Sequence, residues 1–528
     1  MNTPATPDRC HCSCCAGHAT APLTLQNLNR RDFLLRVGAL TVGGLALPAV
    51  NLGAADVAPA QTRPGRIVKP LKVQPVLTYA LPKRREATSW RGWGGIQTEQ
   101  DVSAEKQRIG DELTRLKSQS AFPLEIAPLV TAANAQEAAN IAKGDYDAML
   151  MYAAGGGREV LEALTLKDKF NLMFLRHDSG PVYLWYEIVH PHFLRKAVDE
   201  YGQPGMDVND VVVDSGDELA FRLRALHGLK STLGKRIVAI GGAGGWGAGM
   251  AQKAPEIARN LWKLDIVDYP YADLAPRLKA ARADAALSKR AEADARRFLR
   301  ESKVSLHTKE AFVRNAFILT EVFKDILDEA KTDAITVQHC MGTIMPISET
   351  TACLPLSLLN DEGYLAFCES DFVVIPSGIL LHYISGLPVF LNDPTTPHDN
   401  VVTLAHCTAP RKMDGKRAER TKILTHFESD YGAAPKVEMK LGQVCTNLVP
   451  DFASKKWVGF AGKIIGNPFL DICRSQVDVR IQGDCAALLQ EMKGYHWMMC
   501  YGNFLRESSY ALKKIGVGFH DVSAAKTA

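Results

Sequence analysis

The chain has 528 residues, of which 46% are hydrophobic, 8% aromatic and 23% charged, and its formal net charge is +4. That composition excludes collagen-like, coiled-coil and wholly disordered chains. So small a charge gives no support to nucleic-acid binding, and at roughly 100 to 200 residues per domain several domains are expected.

The N-terminal segment carries Arg30-Arg31, followed by an apolar Gly/Ala-rich run from Val37 to Val50 and by Ala58-Pro59-Ala60. Paired arginines, a modest apolar core and small residues at a cleavage point are the layout of a twin-arginine export signal. Residues 1–60 are therefore expected to be a leader that engages the twin-arginine translocase, leaving the mature protein periplasmic or otherwise extracytoplasmic. The apolar run is shorter than the roughly 20 residues a spanning helix needs. Cys10, Cys12, Cys14 and Cys15 with His11 and His18 offer soft metal ligands, but they precede the signal and would leave with it. The eight remaining cysteines, from Cys340 to Cys500, contain no C-x-x-C pair and are expected to be buried free thiols.

Residues 62–74, rich in Pro, Lys and Arg, read as a linker. Beyond them, strand and helix patterns alternate. Val76–Leu81, Leu124–Pro128 and Ala148–Tyr152 are predicted strands, with helices over Ala104–Ser118 and Ala135–Lys143 between them. A second unit follows, with strands at Asn171–Leu175, Arg236–Ile240 and Leu264–Val267 and a charged helical stretch over Leu274–Glu301. A long helix, Lys309–Lys331, opens the last third. The expected architecture is α/β: two Rossmann-like parallel-sheet domains at 75–165 and 166–302, then a C-terminal α+β or β-rich domain at 303–528.

The strand Arg236–Ile240 leads into Gly241-Gly242-Ala243-Gly244-Gly245-Trp246-Gly247, which contains G-x-G-x-x-G at Gly242, Gly244 and Gly247. With Asp265 and Asp268 on the next strand, this fits a dinucleotide fingerprint. Trp246 is bulky where a pyrophosphate would approach, and tight strand-to-helix turns favour glycine for backbone reasons alone. A structural or substrate-facing loop is the preferred reading, and NAD(P) binding through these glycines the alternative.

The last third places three polar residues where predicted strands end: Glu369 after Tyr364–Cys368, Asp393 after Pro388–Leu391, and His406 after Val401–Leu404. Ligands of α/β sheets bind beyond the carboxyl ends of strands, so these side chains can converge. His496 lies in a strand-like run before a predicted helix over Asn503–Ile515. Two carboxylates with imidazoles suit Mn²⁺, Mg²⁺ or Co²⁺. Ser89–Gly95 and Arg176–Tyr183 are loop-like and rich in hydrogen-bonding and aromatic groups, so Trp90, Arg91 and His177 are candidate sugar contacts.

The stretches Ala366–Asp371, Gly386–Asp393 and Thr403–Cys407, with His496 and Tyr501–Glu507, resemble the C-terminal active-site sequence of the L-fucose/L-arabinose isomerase family. The likeness covers about residues 350–515. It implies a manganese-type ion held by Glu369, Asp393 and His496 with His406 nearby, Glu369 and Asp393 as the catalytic pair, and a homo-oligomer. It further implies a metal-dependent aldose–ketose isomerase acting on a fucose- or arabinose-like sugar through a cis-enediolate. Asn503 departs from the Asp often found after Tyr-Gly in that family, and an export signal is unusual for it. Two other classes stand beside this expectation: an NAD(P)-dependent sugar oxidoreductase, and an exported sugar-binding protein without catalysis.

Overall fold

The computed structural model describes residues 69–184, 189–195 and 202–524. The expected signal and leader, 1–60, lie outside them. Among the described residues, no helix is long and apolar enough to cross a membrane.

The first sheet is wholly parallel. It comprises β1 (Leu71–Thr78), β2 (Leu124–Ile126), β3 (Val130–Ala132), β4 (Ala148–Ala153), β5 (Phe170–Leu175) and β6 (Val211–Val213). Its order is β2-β1-β4-β5-β6, with β3 also on β1. The linker expected over 62–74 gives way to strand at Leu71, because Leu71 and Val73 alternate with half-buried Lys72 and Gln74 and enter the core. Lysine and proline in that stretch conceal a two-residue apolar period.

The second sheet is also parallel. It starts with β7 (Arg236–Ile240) and β8 (Asp265–Tyr269); β9 (Val304–Leu306) leaves it for a small separate sheet, and β10 (Ala334–Val337) and β11 (Leu365–Cys368) return to it. The order is β11-β10-β7-β8, so the winding reverses between β7 and β10. Alternate residues face opposite cores. Ile237, Ala239 and Phe367 pack on one side, and Val238, Ile240, Ile335 and Val337 on the other, beneath the helix Glu310–Ala330. That helix presents Leu319, Val322, Phe323 and Ile326, a three-to-four-residue stripe that buries its inner face.

The hydrogen-bonded sheets run across the expected divisions at 165 and 302. β5 and β6 belong with β1, and β10 and β11 complete a sheet begun by β7. The charged stretch 274–301 is two helices, Tyr271–Ala283 and Ala285–Leu299. Asp284 divides them by accepting hydrogen bonds from Ala286 N (2.8 Å) and Leu287 N (3.1 Å) as the cap of the second.

The C-terminal region is an antiparallel barrel. β12 (Phe390–Pro394) and β13 (Val401–His406) precede β14 (Arg420–Leu424) and β15 (Ala434–Glu438), which form the small sheet in the order β15-β14-β9 instead. β16 (Val444–Val449), β17 (Lys456–Gly466), β18 (Ser475–Gln482) and β19 (Trp497–Tyr501) join β12 and β13 in the order β16-β19-β12-β13-β18-β17. Pairing of β16 with β17 closes six strands on themselves, and β20 (Gly518–Asp521) adds to β17. Closure leaves the six strands without an open edge. Trp497, Met499 and Phe390 fill the barrel, while Met498, Cys500 and Leu391 join the α/β core outside it.

One helix fastens the barrel to the second sheet. Ile375–Ser385 is buried along its whole length. A Cβ on Gly378 would come within 2.6 Å of both Met498 Cε in the barrel and the Phe367 ring in the sheet. Only glycine lets the helix sit this close to both.

Candidate metal centre

β11 ends at Cys368, and the chain turns sharply. Glu369 (φ 65°) and Ser370 (φ 47°) are both left-handed, a conformation costing on the order of 1 kcal/mol or more for each non-glycine residue. The turn is held by Ser370 N donating to Thr336 Oγ1 (3.1 Å), and it aims the half-buried Glu369 carboxylate beyond the sheet. The glycine loop clamps the same segment: Gly244 N donates to Ser370 O (3.2 Å), and Phe372 N to Gly244 O (3.0 Å).

Three further side chains come from neighbouring barrel strands. Asp393 lies within β12, two residues beyond the strand end expected from sequence, and His406 closes β13. The β12–β19 register pairs Asn392 with Trp497, and continuing it one residue sets His496 opposite Asp393. Asp393 and His496 share strand parity with Leu391 and Met498, so they leave the barrel on the face turned toward the second sheet. The site is thus shared between the second sheet and the barrel, and all four residues fall within the region 303–528.

All four expected ligands meet. His496 Nε2 is 3.3 Å from Glu369 Oε2 and 3.2 Å from Asp393 Oδ1. His406 Nε2 is 3.7 Å from Glu369 Oε1. Donor atoms of Asp393, His406 and His496 all lie within 4.8 Å of one another. Both imidazoles are buried, and both Nε2 atoms lack a hydrogen-bond partner. Buried polar atoms rarely go unpaired, and two ring nitrogens aimed at a common point among carboxylates fit a divalent cation.

Asp371, two residues after Glu369, was missed as a participant. Its Oδ2 accepts from His496 Nδ1 at 2.8 Å, which orients the ring and leaves Nε2 facing the carboxylates. Its Oδ1 takes Val373 N (3.0 Å). Nothing in the sequence around Asp371 announces the pairing, because its partner lies in β19's approach, 125 residues away.

Burial works against charge on His496, but Asp371, Asp393 and Glu369 outweigh it and hold the ring's pKa well above the histidine range. His406 is shifted upward too: Glu369 and Asp393 overcome its desolvation. Glu369 moves the other way, since the two imidazoles overcome the upward push of burial. Both imidazoles hold their protons more tightly than a free histidine, and an entering cation must displace them. Mn²⁺ affinity should therefore rise as pH climbs from about 6.5 through the raised histidine pKa values, with proton release. Asp371→Asn should weaken Mn²⁺ binding by about 10- to 100-fold. Titration calorimetry in buffers of different ionisation enthalpy tests both; an affinity independent of pH, or unchanged in the variant, contradicts this arrangement.

A cavity of about 410 Å³ opens beside Glu369, lined also by Trp246, Gln338, His339 and Cys340. It sits where the winding reverses, between the carboxyl ends of β7 and β10, the position at which doubly wound sheets take ligands. Trp246 stacks on Tyr495 (centroids 4.8 Å, planes 20° apart) and meets His496 edge-on at 5.8 Å. The bulk that argued against a pyrophosphate thus forms the cavity's flat wall. A second space of about 320 Å³ lies on the Asp393 side, lined by His426, Phe427 and Cys473.

The chain matches no family model and no curated protein.

Trp90, Arg91 and His177 line neither cavity. Arg91 covers the Trp90 ring at 5.1 Å, and His177 N donates to Asp214 Oδ1 at 2.9 Å. Arg176 and Tyr183, at the ends of the same loop, are buried on Glu105. The glycine loop departs from the dinucleotide pattern. A 3₁₀ turn, Gly249–Lys253, intervenes before a seven-residue helix, and Asp265 is already paired with Arg236 Nε at 2.7 Å. Gly245 is required by packing, since a Cβ there would stand 2.1 Å from Ala251 O.

Proposed function

We propose that the protein is a metal-dependent aldose–ketose isomerase acting on a fucose- or arabinose-like sugar. The observation that carries this reading is the convergence of Glu369 and Asp393 with two buried, otherwise unpartnered imidazole nitrogens beside an aromatic-walled cavity. The resemblance of these segments to the L-fucose/L-arabinose isomerase family points the same way. Glu369, Asp393 and His496, with His406, would hold Mn²⁺ or a similar divalent cation. Such a cation, when bound, supplies Lewis acidity toward the substrate's oxygens.

The remaining work belongs to the chain's own groups. Isomerisation of an aldose removes a proton from C2 and returns one to C1. Glu369 and Asp393 flank His496 and serve as the base and acid of that transfer. Its neighbouring imidazoles keep Glu369 ionised, the form a base must start from, although the same charges lower its affinity for the proton. His496 is fixed by Asp371, and His406 by the 3.0 Å contact of its Nδ1 with Thr408 Oγ1. The stacked Trp246 and Tyr495 offer a flat face to the C–H side of a sugar ring.

The test uses purified mature protein offered aldoses with and without added Mn²⁺, together with absorbance for bound nucleotide. Ketose formation that requires the cation is the expected result. Bound NAD(P) would favour an oxidoreductase instead, and sugar binding without turnover an exported receptor.

A further inference from the structure

A pair of thiols borders the site. Cys340 Sγ lies 3.6 Å from Cys368 Sγ, so the two sulfurs are in direct contact. They sit at the carboxyl ends of neighbouring strands: β10 pairs with β11 through Val337 and Cys368, and Cys340 follows shortly after Val337. The two differ in access. Cys368 is buried, whereas Cys340 is half-buried and lines the cavity of about 410 Å³ beside Glu369. A disulfide holds its sulfurs at about 2.05 Å, so bonding this pair asks for an approach of about 1.5 Å. Cys368 belongs to β11, but Cys340 opens the short turn Cys340–Ile344 beyond β10 and can make that approach without breaking a strand pairing.

We propose that Cys340 and Cys368 are a redox-active dithiol, in which a peroxide entering the cavity oxidises Cys340 and Cys368 resolves the product to a disulfide. The accessible member of such a pair meets the oxidant, and a second thiol in contact captures the sulfenic acid before it oxidises further. In the first step the Cys340 sulfur attacks one peroxide oxygen, the O–O bond breaks and an S–O bond forms, and the thiol proton leaves in a water molecule. In the second the Cys368 sulfur attacks the Cys340 sulfur, the S–O bond breaks and the S–S bond forms, and the hydroxyl leaves with the Cys368 proton as a second water. Two thiols are oxidised and one peroxide is reduced. The new bond ties the cavity wall to the residue that precedes Glu369. In an isomerase of the kind proposed above, oxidation should therefore suppress turnover reversibly; this consequence alone rests on that reading. Cys353, Cys407 and Cys473 form a second thiol cluster, in which Cys407 Sγ accepts from Arg474 N at 3.4 Å.

The experiment adds hydrogen peroxide stepwise to the reduced full chain, blocks the remaining thiols with iodoacetamide and reads the peptides by mass. The expected product is a Cys340–Cys368 crosslink, two hydrogens lighter than the separate peptides, which dithiothreitol returns to two alkylatable thiols. At the same dose Cys340→Ser should leave Cys368 reduced, because the entry thiol is gone. Mapping on the wild-type chain keeps the test valid should the variant misfold. Cys340 left untouched, Cys340 driven to sulfinic acid beside a free Cys368, or crosslinking confined to Cys353, Cys407 and Cys473 overturns the pair. Turnover lost on crosslinking and restored by dithiothreitol supports the switch, and undiminished turnover in the crosslinked chain refutes it. A chain that crosslinks here and never isomerises a sugar sinks the proposed activity while leaving the dithiol standing.

Discussion

Glu369→Gln is expected to lower turnover by about 10³-fold or more while leaving secondary structure intact. The substitution keeps shape and length, and glutamine faces the same left-handed backbone at φ 65° as glutamate, so the turn after β11 survives. What disappears is the charge and proton affinity that a carboxylate base contributes, worth typically 10² to 10⁴ in rate. The loss reaches further here, because Glu369 Oε2 is 3.3 Å from His496 Nε2 and Oε1 is 3.7 Å from His406 Nε2. Removing that charge weakens the cation as well as the proton transfer, so Mn²⁺ affinity and rate should fall together. Asp393→Asn should follow the same pattern through its 3.2 Å contact with His496. Full activity in either variant, with normal circular dichroism, would remove these carboxylates from the mechanism.

Arg176→Met should destabilise the first domain by about 3–5 kcal/mol. Arg176 Nε donates to Glu105 Oε1 at 2.5 Å, and both side chains are fully buried. Its Nη2 reaches Glu112 Oε2 at 2.8 Å, one helical face along from Glu105. Tyr183 OH donates to Glu105 Oε1 as well. Methionine fills similar volume but removes the cation from Glu105 Oε1, leaving that buried oxygen to Tyr183 alone while Oε2 stays with Arg108 Nη1. The double variant Arg176→Met/Glu105→Leu should regain most of the loss, since replacing a buried pair by apolar groups is often neutral. Urea denaturation followed by far-ultraviolet dichroism decides this: a single variant within about 1 kcal/mol of wild type shows that the pair does not hold this face together.

The parallel sheets were legible because each strand is a short apolar run followed by a helical pattern. Arg236–Ile240 was bounded correctly for that reason. Where polar residues interleave, as at Leu71–Gln74, the strand was hidden. Strand-end logic singled out Glu369, Asp393 and His406, each at or near an abrupt change from apolar to polar residues, and His496, read within a strand-like run, lies beside them. The sheet pairings were less readable: β10 pairs with β7 across more than 90 residues of intervening chain, and no local pattern records a pairing partner. Asp371 and Trp246 escaped for the same cause. Asp371 gains its role only from His496, and Trp246 only from Tyr495. The loop after β5 looked like a sugar lining because Arg176 and Tyr183 carry hydrogen-bonding groups, whereas those groups satisfy one another inside the core.

Gly378 gives the joint between sheet and barrel a further consequence, in the order of events during folding. Its helix is pinched between Phe367 and Met498, and the donors proposed to hold a cation lie on opposite sides of that joint. The second sheet alone contributes Glu369, and the barrel alone contributes Asp393, His406 and His496. Only a chain whose barrel has seated can present all four, so the proposed cation would act as a gauge of docking rather than of local structure. At a concentration 100-fold above its dissociation constant it would add about 2.7 kcal/mol to the seated form. Loosening of the joint would then register first as a lost ion, with every strand and helix still in place.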